Sequence, residues 1–174
     1  MAFTGGEPML NQDAIVAILT EFDVRGNYPK FVTVETNGTK LLRDKQLQLR
    51  IENHRNHLGE WFWSISPKLF STSGELAKKA IKPEVVASYY EASQHGQLKY
   101  VVNGTQQSWD EVEQHTEAFR KAGCGFPVWI MPVGATKEQQ EEKQIAEIAM
   151  EAMRRGYAVS GRLHCYVFGN KIGT

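Results

Sequence analysis

At residues 31–39 the sequence reads FVTVETNGT, a short β-branched run followed directly by a polar turn that contains glycine. Similar runs of β-branched and aromatic residues recur along the 174-residue chain, each followed by a turn and a helix-like stretch. They begin near Ala2, Phe31, Trp61, Leu98, Val128 and Ala158, at intervals of 29 to 37 residues. A βα unit of an eightfold barrel averages about 31 residues. The spacing therefore predicts βα repeats around a mostly parallel sheet, and not an antiparallel sandwich.

Capping and termination signals predict helices between these runs. Asn11 precedes an apolar stripe of Ile15, Ile18, Leu19 and Phe22, and Pro83 precedes Val85, Val86, Tyr89 and Tyr90. Capping boxes at residues 108–111 and 136–139 each predict one helix, which ends at Gly123 and Gly156 respectively. The first stripe comprises Val112, His115, Phe119 and Ala122, and the second Ile145, Ile148, Ala149, Ala152 and Met153. Residues 41–58 are only loosely periodic. No linker divides the chain, so we expect one domain over residues 1–174.

The composition restricts the possible functions. Lys plus Arg and Asp plus Glu number 20 each, so the formal charge is zero. The chain thus lacks the basic surplus that nucleic-acid or anionic-membrane binding requires, and neither partner is expected. No apolar run approaches the roughly 20 residues of a membrane helix, and no signal peptide is recognisable. The two cysteines, Cys124 and Cys165, cannot form a disulfide framework, which fits a cytoplasmic protein.

Polar or glycine-rich segments follow each predicted strand. In parallel α/β folds the carboxyl ends of the strands meet at one rim, where functional sites form. These segments are Thr4–Pro8, Glu35–Thr39, Ser66–Lys68, Asn103-Gly104, Met131–Gly134 and His164-Cys165. Turn chemistry alone would explain any one of them. Their repetition on one rim predicts a site.

Three of these segments have a ligand-binding interpretation beside a structural one. Gly5 and Gly6 let a ligand approach the backbone, and Glu7 can hold a cationic amine; a tight turn is the alternative. The segment Glu35–Thr39 offers a carboxylate, an amide and two hydroxyls, or simply an Asx-turn. The segment Ser66–Lys68 offers a hydroxyl and a cation, or a strand end broken by proline.

The remaining histidines and cysteines give weaker signals. His164 is either a proton donor or ligand, or a structural histidine. His54 and His57 lie three residues apart without a third ligand, so no zinc site is predicted. Cys124 is expected to be a packed thiol without a functional role.

With these residues in view, the chain resembles a known family. Thr4-Gly5-Gly6-Glu7-Pro8 resembles the GGE motif of radical S-adenosylmethionine enzymes, which lies at the end of their second barrel strand. With Glu35–Thr39, Ser66–Lys68, the Leu98–Val102 strand and the ending at residues 164–170, the chain resembles the 7-carboxy-7-deazaguanine synthase family. The resemblance runs from Phe3 to Thr174.

The resemblance implies a fold and a reaction. The fold would be α/β, a partial (βα) barrel with about six mostly parallel strands, in which the first strand and the cluster loop are absent. The family converts 6-carboxy-5,6,7,8-tetrahydropterin to 7-carboxy-7-deazaguanine by radical ring contraction, with loss of ammonia, in queuosine and deazapurine biosynthesis. Its cofactors are S-adenosylmethionine, a 4Fe–4S cluster and Mg²⁺. Family members are homodimers, and a homodimer is expected here.

The resemblance also implies roles for individual residues. Gly5, Gly6 and Glu7 would hold the amino end of S-adenosylmethionine. Ser66 and Lys68 would contact its carboxylate or ribose, or the substrate, while Glu35, Asn37 and Thr39 would line the boundary between cofactor and pterin. His164, Gly173 and Thr174 would approach the pterin. No catalytic residue is assigned.

The sequence departs from the family at the cluster. The family uses three closely spaced cysteines ahead of the GGE strand, and Cys124 and Cys165 cannot replace them. We therefore expect a shortened form of a longer synthase, with no metal site of its own and inactive alone. A cluster-free protein that binds S-adenosylmethionine or a pterin, or that regulates the full enzyme, is the alternative. An unrelated barrel hydrolase or aldolase would rest on Lys68 alone.

Overall fold

The computed structural model describes residues 1–54, 56 and 59–169. Six strands form one sheet in which all neighbouring strands are parallel and follow one another in chain order. They are β1 Ala2–Phe3, β2 Phe31–Thr36, β3 Glu60–Ile65, β4 Gly96–Val102, β5 Val128–Pro132 and β6 Ala158–Val159. The prediction of six parallel strands about 30 residues apart is confirmed.

Nine α-helices connect or follow these strands in the described residues. They are α1 Gln12–Val24, α2 Lys45–Asn53, α3 Phe70–Ser73, α4 Ala77–Ala80, α5 Pro83–Ala92, α6 Gln106–Lys121, α7 Lys137–Gln140, α8 Lys143–Arg154 and α9 Leu163–Phe168. A short 3₁₀ helix at Pro8–Leu10 joins β1 to α1. The loosely periodic region around residue 50 becomes α2, whose first turn is capped by the Asp44 carboxylate.

The helices pack on one face of the sheet. Parallel strands in sequential order with right-handed crossovers place every connecting helix on the same side. Alternate strand residues such as Val32, Val34 and Tyr100 are fully buried in one core with the apolar faces of the helices. The intervening residues, among them Glu35 and Lys99, point to the opposite face, which would be the interior of a closed barrel. We call this second face the inner face.

The sheet does not close into a barrel within the described residues. β1 pairs with β2 alone, and β6 pairs with β5 alone. The architecture is therefore an open, partial βα barrel, as predicted.

An aromatic row forms the centre of the core beneath β3. Trp61 and Trp63 are fully buried, with ring centroids 5.7 Å apart. Trp63 stacks on Tyr89 of α5 at 4.4 Å, and His54 meets the edge of Trp61 at 6.2 Å. Such pairs contribute about 0.5–1.5 kcal/mol beyond their buried area. This row fixes α2 and α5 against the strand that leads into Ser66–Lys68.

The predicted capping box at Ser108 is wrong. Helix α6 begins one turn earlier, at Gln106, and Thr105 is its N-cap. The Thr105 hydroxyl accepts a hydrogen bond from the Ser108 amide at 3.3 Å, whereas Ser108 itself is buried inside the first turn. The apolar stripe through Val112 and Phe119 is correct, since both side chains are buried.

The second predicted capping box is present, but the helix that it begins is short. Thr136 and Gln139 form the reciprocal box of α7, which ends at Gln140. The amphipathic helix α8 starts separately at Lys143. Met153 does not belong to its buried stripe, because 64% of its surface is exposed.

Helix α1 differs from its prediction in two details. Asn11 occupies the N-cap position of α1 without a capping hydrogen bond from its side chain. Ile18 is 43% exposed, so the buried stripe of α1 is narrower than predicted. Cys124 is buried, as expected of a packed thiol, and this burial raises the pKa of its thiol.

Candidate functional site

A cleft of about 300 Å³ lies on the inner face, at the carboxyl ends of the strands. Residues from three separate predicted segments line it together: Gly5, Gly6, Glu35, Asn37, Ser66 and Lys68. The parallel register explains this, because Glu35 of β2 lies beside Ser64 of β3 and the turns beyond them share one rim. The structure thus brings together the residues whose spacing pointed to one rim.

The glycine pair leaves an open stretch of backbone at the cleft. Gly5 and Gly6 both have left-handed backbone angles, with φ of 85° and 56°. No atom lies within 4 Å of the position that a Cβ would take at either residue. The peptide groups of this turn are therefore accessible to a ligand.

Glu7 lies behind the cleft and fixes the neighbouring turn. Its Oε1 accepts hydrogen bonds from the Thr36 hydroxyl at 2.7 Å and from the Met9 amide at 3.1 Å. Its Oε2 accepts one from the Asn37 amide at 2.8 Å. Glu7 is not among the residues that line the cleft. In this geometry its carboxylate holds the β1 turn and the β2 turn together.

The turn after β2 has the geometry of an Asx-turn. The Asn37 side-chain carbonyl accepts hydrogen bonds from the Thr39 amide at 3.0 Å and from the Thr39 hydroxyl at 2.6 Å. Gly38, with φ of 74°, turns the chain between them, and its amide donates to the Thr36 hydroxyl at 3.1 Å. Thr39 itself lines a different surface groove, beside Lys40 and Leu41.

The cleft carries an excess of positive charge. Lys68, Lys99 and Arg162 line it, and none of them forms an ion pair with another described residue. Glu35 is the carboxylate among the lining residues, and its Oε2 accepts a hydrogen bond from the Thr4 hydroxyl at 3.0 Å. A cleft with this balance favours a ligand that carries negative charge.

Of the residues expected at the pterin, Thr39 and His164 lie in the described part of the chain. His164 is exposed on α9, with its Nε2 3.5 Å from the Cys165 sulfur, and it is not among the residues that line the cleft. The expected substrate residues Gly173 and Thr174 lie outside the described residues. His57, part of the rejected zinc pair, also lies outside them.

Sequence reasoning missed several cleft residues. Ser64, Lys99 and Val101 reach the cleft from within the strands, and Arg162 reaches it from the segment after β6. Thr4, Thr36 and Met131 also line the cleft; they belong to segments predicted at the rim, but no role was predicted for them. The signal for Lys99 was present: it alternates with the buried Leu98 and Tyr100 and so shares the inner face with Glu35. Arg162 follows β6 without any motif that would mark it.

The described residues do not fit all of the implied cofactors equally well. The open glycine turn, the hydroxyls and the cations suit the amino-acid end of S-adenosylmethionine. The described residues contain no group of three His, Cys, Asp or Glu side chains that could hold a metal ion. Cys124 and Cys165 are both buried and lie in different parts of the fold. These residues do not fit a 4Fe–4S cluster.

None of the helices in the described part of the chain combines the length and the hydrophobicity that a bilayer crossing requires.

Comparison with known proteins finds a relative of established name. No protein-family model and no solved structure matches the chain. A protein of Halobacterium salinarum named 7-carboxy-7-deazaguanine synthase is 31% identical over 181 aligned residues, which cover 94% of this chain and 63% of the relative. The chain thus spans less than two thirds of that relative's length. The resemblance seen in the motifs is confirmed: over nearly its whole length, this chain is similar to a 7-carboxy-7-deazaguanine synthase.

Proposed function

We propose that the chain provides the cofactor- and substrate-binding face of a 7-carboxy-7-deazaguanine synthase. The reaction would be the ring contraction of 6-carboxy-5,6,7,8-tetrahydropterin to 7-carboxy-7-deazaguanine. One observation carries the proposal: the cleft unites the glycine turn, the turn after β2 and the segment after β3. These are the same segments on which the resemblance to the family rests.

In this proposal, S-adenosylmethionine binds with its amino-acid end at the glycine turn. The open peptide groups of Gly5 and Gly6 receive the ligand, and Lys68 pairs with its carboxylate. Glu7 has a structural task already, but its Oε2 accepts a single hydrogen bond and can accept another from an ammonium group. Glu35 and Asn37 then lie between the cofactor and the pterin.

In the family, bound S-adenosylmethionine supplies radical chemistry, and this chemistry requires an electron donor. The family uses a 4Fe–4S cluster for this, and the described residues do not fit one. We therefore assign ligand binding to this chain and derive no reaction step from it. The flat pterin would lie on the inner face, against Ser64, Lys99 and Met131. His164, Gly173, Thr174 and Thr39 remain expected contacts of the substrate.

Calorimetric titration with S-adenosylmethionine tests the cofactor part of the proposal. We expect the wild-type chain to bind it, and K68M to weaken binding by about 1.5–3 kcal/mol, the range of a hydrogen bond to a charged group. The variant K79M is the matched control, because Lys79 is an exposed lysine on α4, outside the cleft. An absence of binding at millimolar cofactor, or an equal effect of both variants, would contradict the assignment.

A second candidate function is a cluster-free binding or regulatory protein. The absence of a suitable ligand group among the described residues, and of more than two cysteines in the sequence, favours it. Intact-mass measurement and N-terminal sequencing of the protein from its native source decide between the two. A longer native chain that carries three closely spaced cysteines ahead of Gly5 would exclude this second function. A native chain that begins at Met1 and binds S-adenosylmethionine without taking up iron would support it.

We also propose that the protein is a cytoplasmic homodimer. Both cysteines are free thiols in the interior, which fits a reducing compartment. Within the described residues, the outer edges of β1 and β6 are unpaired, and an unpaired strand edge can pair with another chain. Light scattering coupled to size-exclusion chromatography measures the mass: a mass of one chain over the micromolar range would contradict the dimer.

A further inference from the structure

Arg162 has an unusual environment for an arginine. It lies between β6 and α9, and its side chain is half-buried. Its Nε is hidden from solvent and has no hydrogen-bond partner among the described residues. A buried donor without a partner destabilises a fold, so such a donor at the wall of a cleft indicates that a ligand supplies the acceptor.

Arg162 also lies where two pockets meet. It lines the cleft of the functional site, and it lines a second pocket of about 330 Å³. The second pocket is formed by the turn after β5, including Val133 and Ala135, and by Ile145 of α8. A guanidinium in this position can reach a group bound in the cleft from the side of β6.

Lys99 adds another cation to the lining of the cleft. It projects from β4 onto the inner face, is half-buried, and forms no ion pair with a described residue. The whole chain has zero formal charge, so the three cations of the cleft are a local concentration and not a consequence of composition. The nearby carboxylate, Glu35, is engaged by Thr4 and belongs to β2.

The strand order separates these two cations from the glycine turn. The turn of Gly5 and Gly6 follows β1 at one edge of the sheet, whereas Arg162 follows β6 at the other edge. The two groups therefore reach the cleft from opposite edges of the sheet. Lys68, which follows β3, is nearer in strand order to the glycine turn. Besides Lys68, the cleft therefore offers two further cations for a negatively charged group, Lys99 and Arg162.

We propose that Arg162, assisted by Lys99, binds the carboxylate of the pterin substrate and so selects a 6-carboxypterin over a pterin without this group. This inference rests on the proposed function, which assigns the glycine side of the cleft to the cofactor. Arg162 suits a carboxylate because its guanidinium presents donors in a planar fork. Its role is substrate specificity, and no proton transfer is assigned to it.

Fluorescence titration with two pterins tests the proposal. The probes are pterin-6-carboxylate and unsubstituted pterin, both oxidised and fluorescent, so that binding is measured without turnover. We expect the wild-type chain to prefer the carboxylate. In R162Q, its Kd should rise roughly ten- to hundredfold, as for the loss of a charged hydrogen bond, while the Kd for unsubstituted pterin should change less than about twofold.

Further variants make each outcome decisive. R162K keeps the positive charge but loses the planar guanidinium, so it should retain part of the preference for pterin-6-carboxylate. If R162Q does not fold, K99M provides the second test and should reduce the same preference. An unchanged preference in both R162Q and K99M, or weakened S-adenosylmethionine binding in place of weakened pterin-6-carboxylate binding, overturns this inference and leaves the proposed function standing. If the wild-type chain binds neither pterin, the substrate part of the proposed function fails as well.

Discussion

At the scale of single residues, the structure shows Glu7 in the structural role, one of the two interpretations that the sequence offered. Its carboxylate accepts hydrogen bonds from Met9, Thr36 and Asn37, which joins the turns that follow β1 and β2. Asn37 and Thr36 both line the cleft, so the position of this part of the site depends on Glu7. A substitution of Glu7 would therefore change ligand binding through the turn as well as through any direct contact. Lys68, which has no such structural partner among the described residues, gives the clearer test of cofactor binding.

Gly38 supports a prediction at the same scale. A Cβ at this residue would lie 2.8 Å from Ile65 Cγ2 and 3.1 Å from Val86 Cγ2, and φ is 74°. Gly26 has a similar φ of 63° but open space around it. Both G38A and G26A incur the cost of a left-handed alanine, about 1–2 kcal/mol. G38A should lower the free energy of unfolding by about 1–3 kcal/mol more, because it also overpacks the core.

Urea unfolding of the two glycine variants measures this difference directly. The pair is matched in backbone conformation, so the difference reports packing alone. Equal destabilisation of G38A and G26A would show that Ile65 and Val86 give way without cost.

At the scale of elements, the start of α6 gives a second prediction. The Thr105 hydroxyl accepts from the Ser108 amide and donates to the Asn103 side-chain carbonyl at 2.8 Å. T105A should lower the free energy of unfolding by about 1 kcal/mol, because a free amide at the helix end loses its acceptor. T105S keeps the hydroxyl and should retain most of the stability. Thermal unfolding of the three proteins checks this, and an equal loss in T105A and T105S would contradict the capping role.

The comparison of elements shows which features a sequence reveals. The six strands were predictable because β-branched runs recur at the spacing of a βα unit, and Pro83 correctly marked the start of α5. The division between α7 and α8 was not predictable from the sequence, because no proline or glycine marks it. Tertiary contacts accompany the division: the buried Gln140 side chain donates to the Gly134 carbonyl at 3.0 Å, and Tyr166 donates to the Gln140 carbonyl at 3.1 Å.

The residues of the candidate site also differ in how far the sequence could predict them. Residues at strand ends, such as Ser66 and Lys68, were predictable because parallel strands end at one rim. Alternation within β4 separates Lys99 from the buried Leu98 and Tyr100. It predicts that Lys99 faces the cleft only once the helices are known to cover the other face of the sheet. Arg162 required the order of all six strands, since only the folded sheet places it at the cleft.

At the scale of the whole molecule, buried titratable groups make the stability depend on pH. Burial lowers the pKa of His115 from its usual 6.5, so the folded state binds this proton less readily than the unfolded chain. The free energy of unfolding therefore falls as pH decreases below about 6.5, and it is fully retained above that value. A lysine hydrogen bond also lowers the pKa of the Glu117 carboxyl from 4.5, which adds a loss of stability at more acidic pH.

The free energy of unfolding also falls at alkaline pH, but there the cause is raised pKa values and not lowered ones. Burial raises the pKa of Tyr89 and Tyr100 far above 10, and that of Cys124 above 9. The unfolded chain releases these protons first, so the free energy of unfolding falls as pH rises through 9 and 10. We therefore expect urea unfolding at a series of pH values to give a stability maximum between about 6.5 and 9. H115Q should flatten the acid side and Y100F the alkaline side, each without flattening the other. A shared flattening in both variants would mean that neither group titrates as its burial implies.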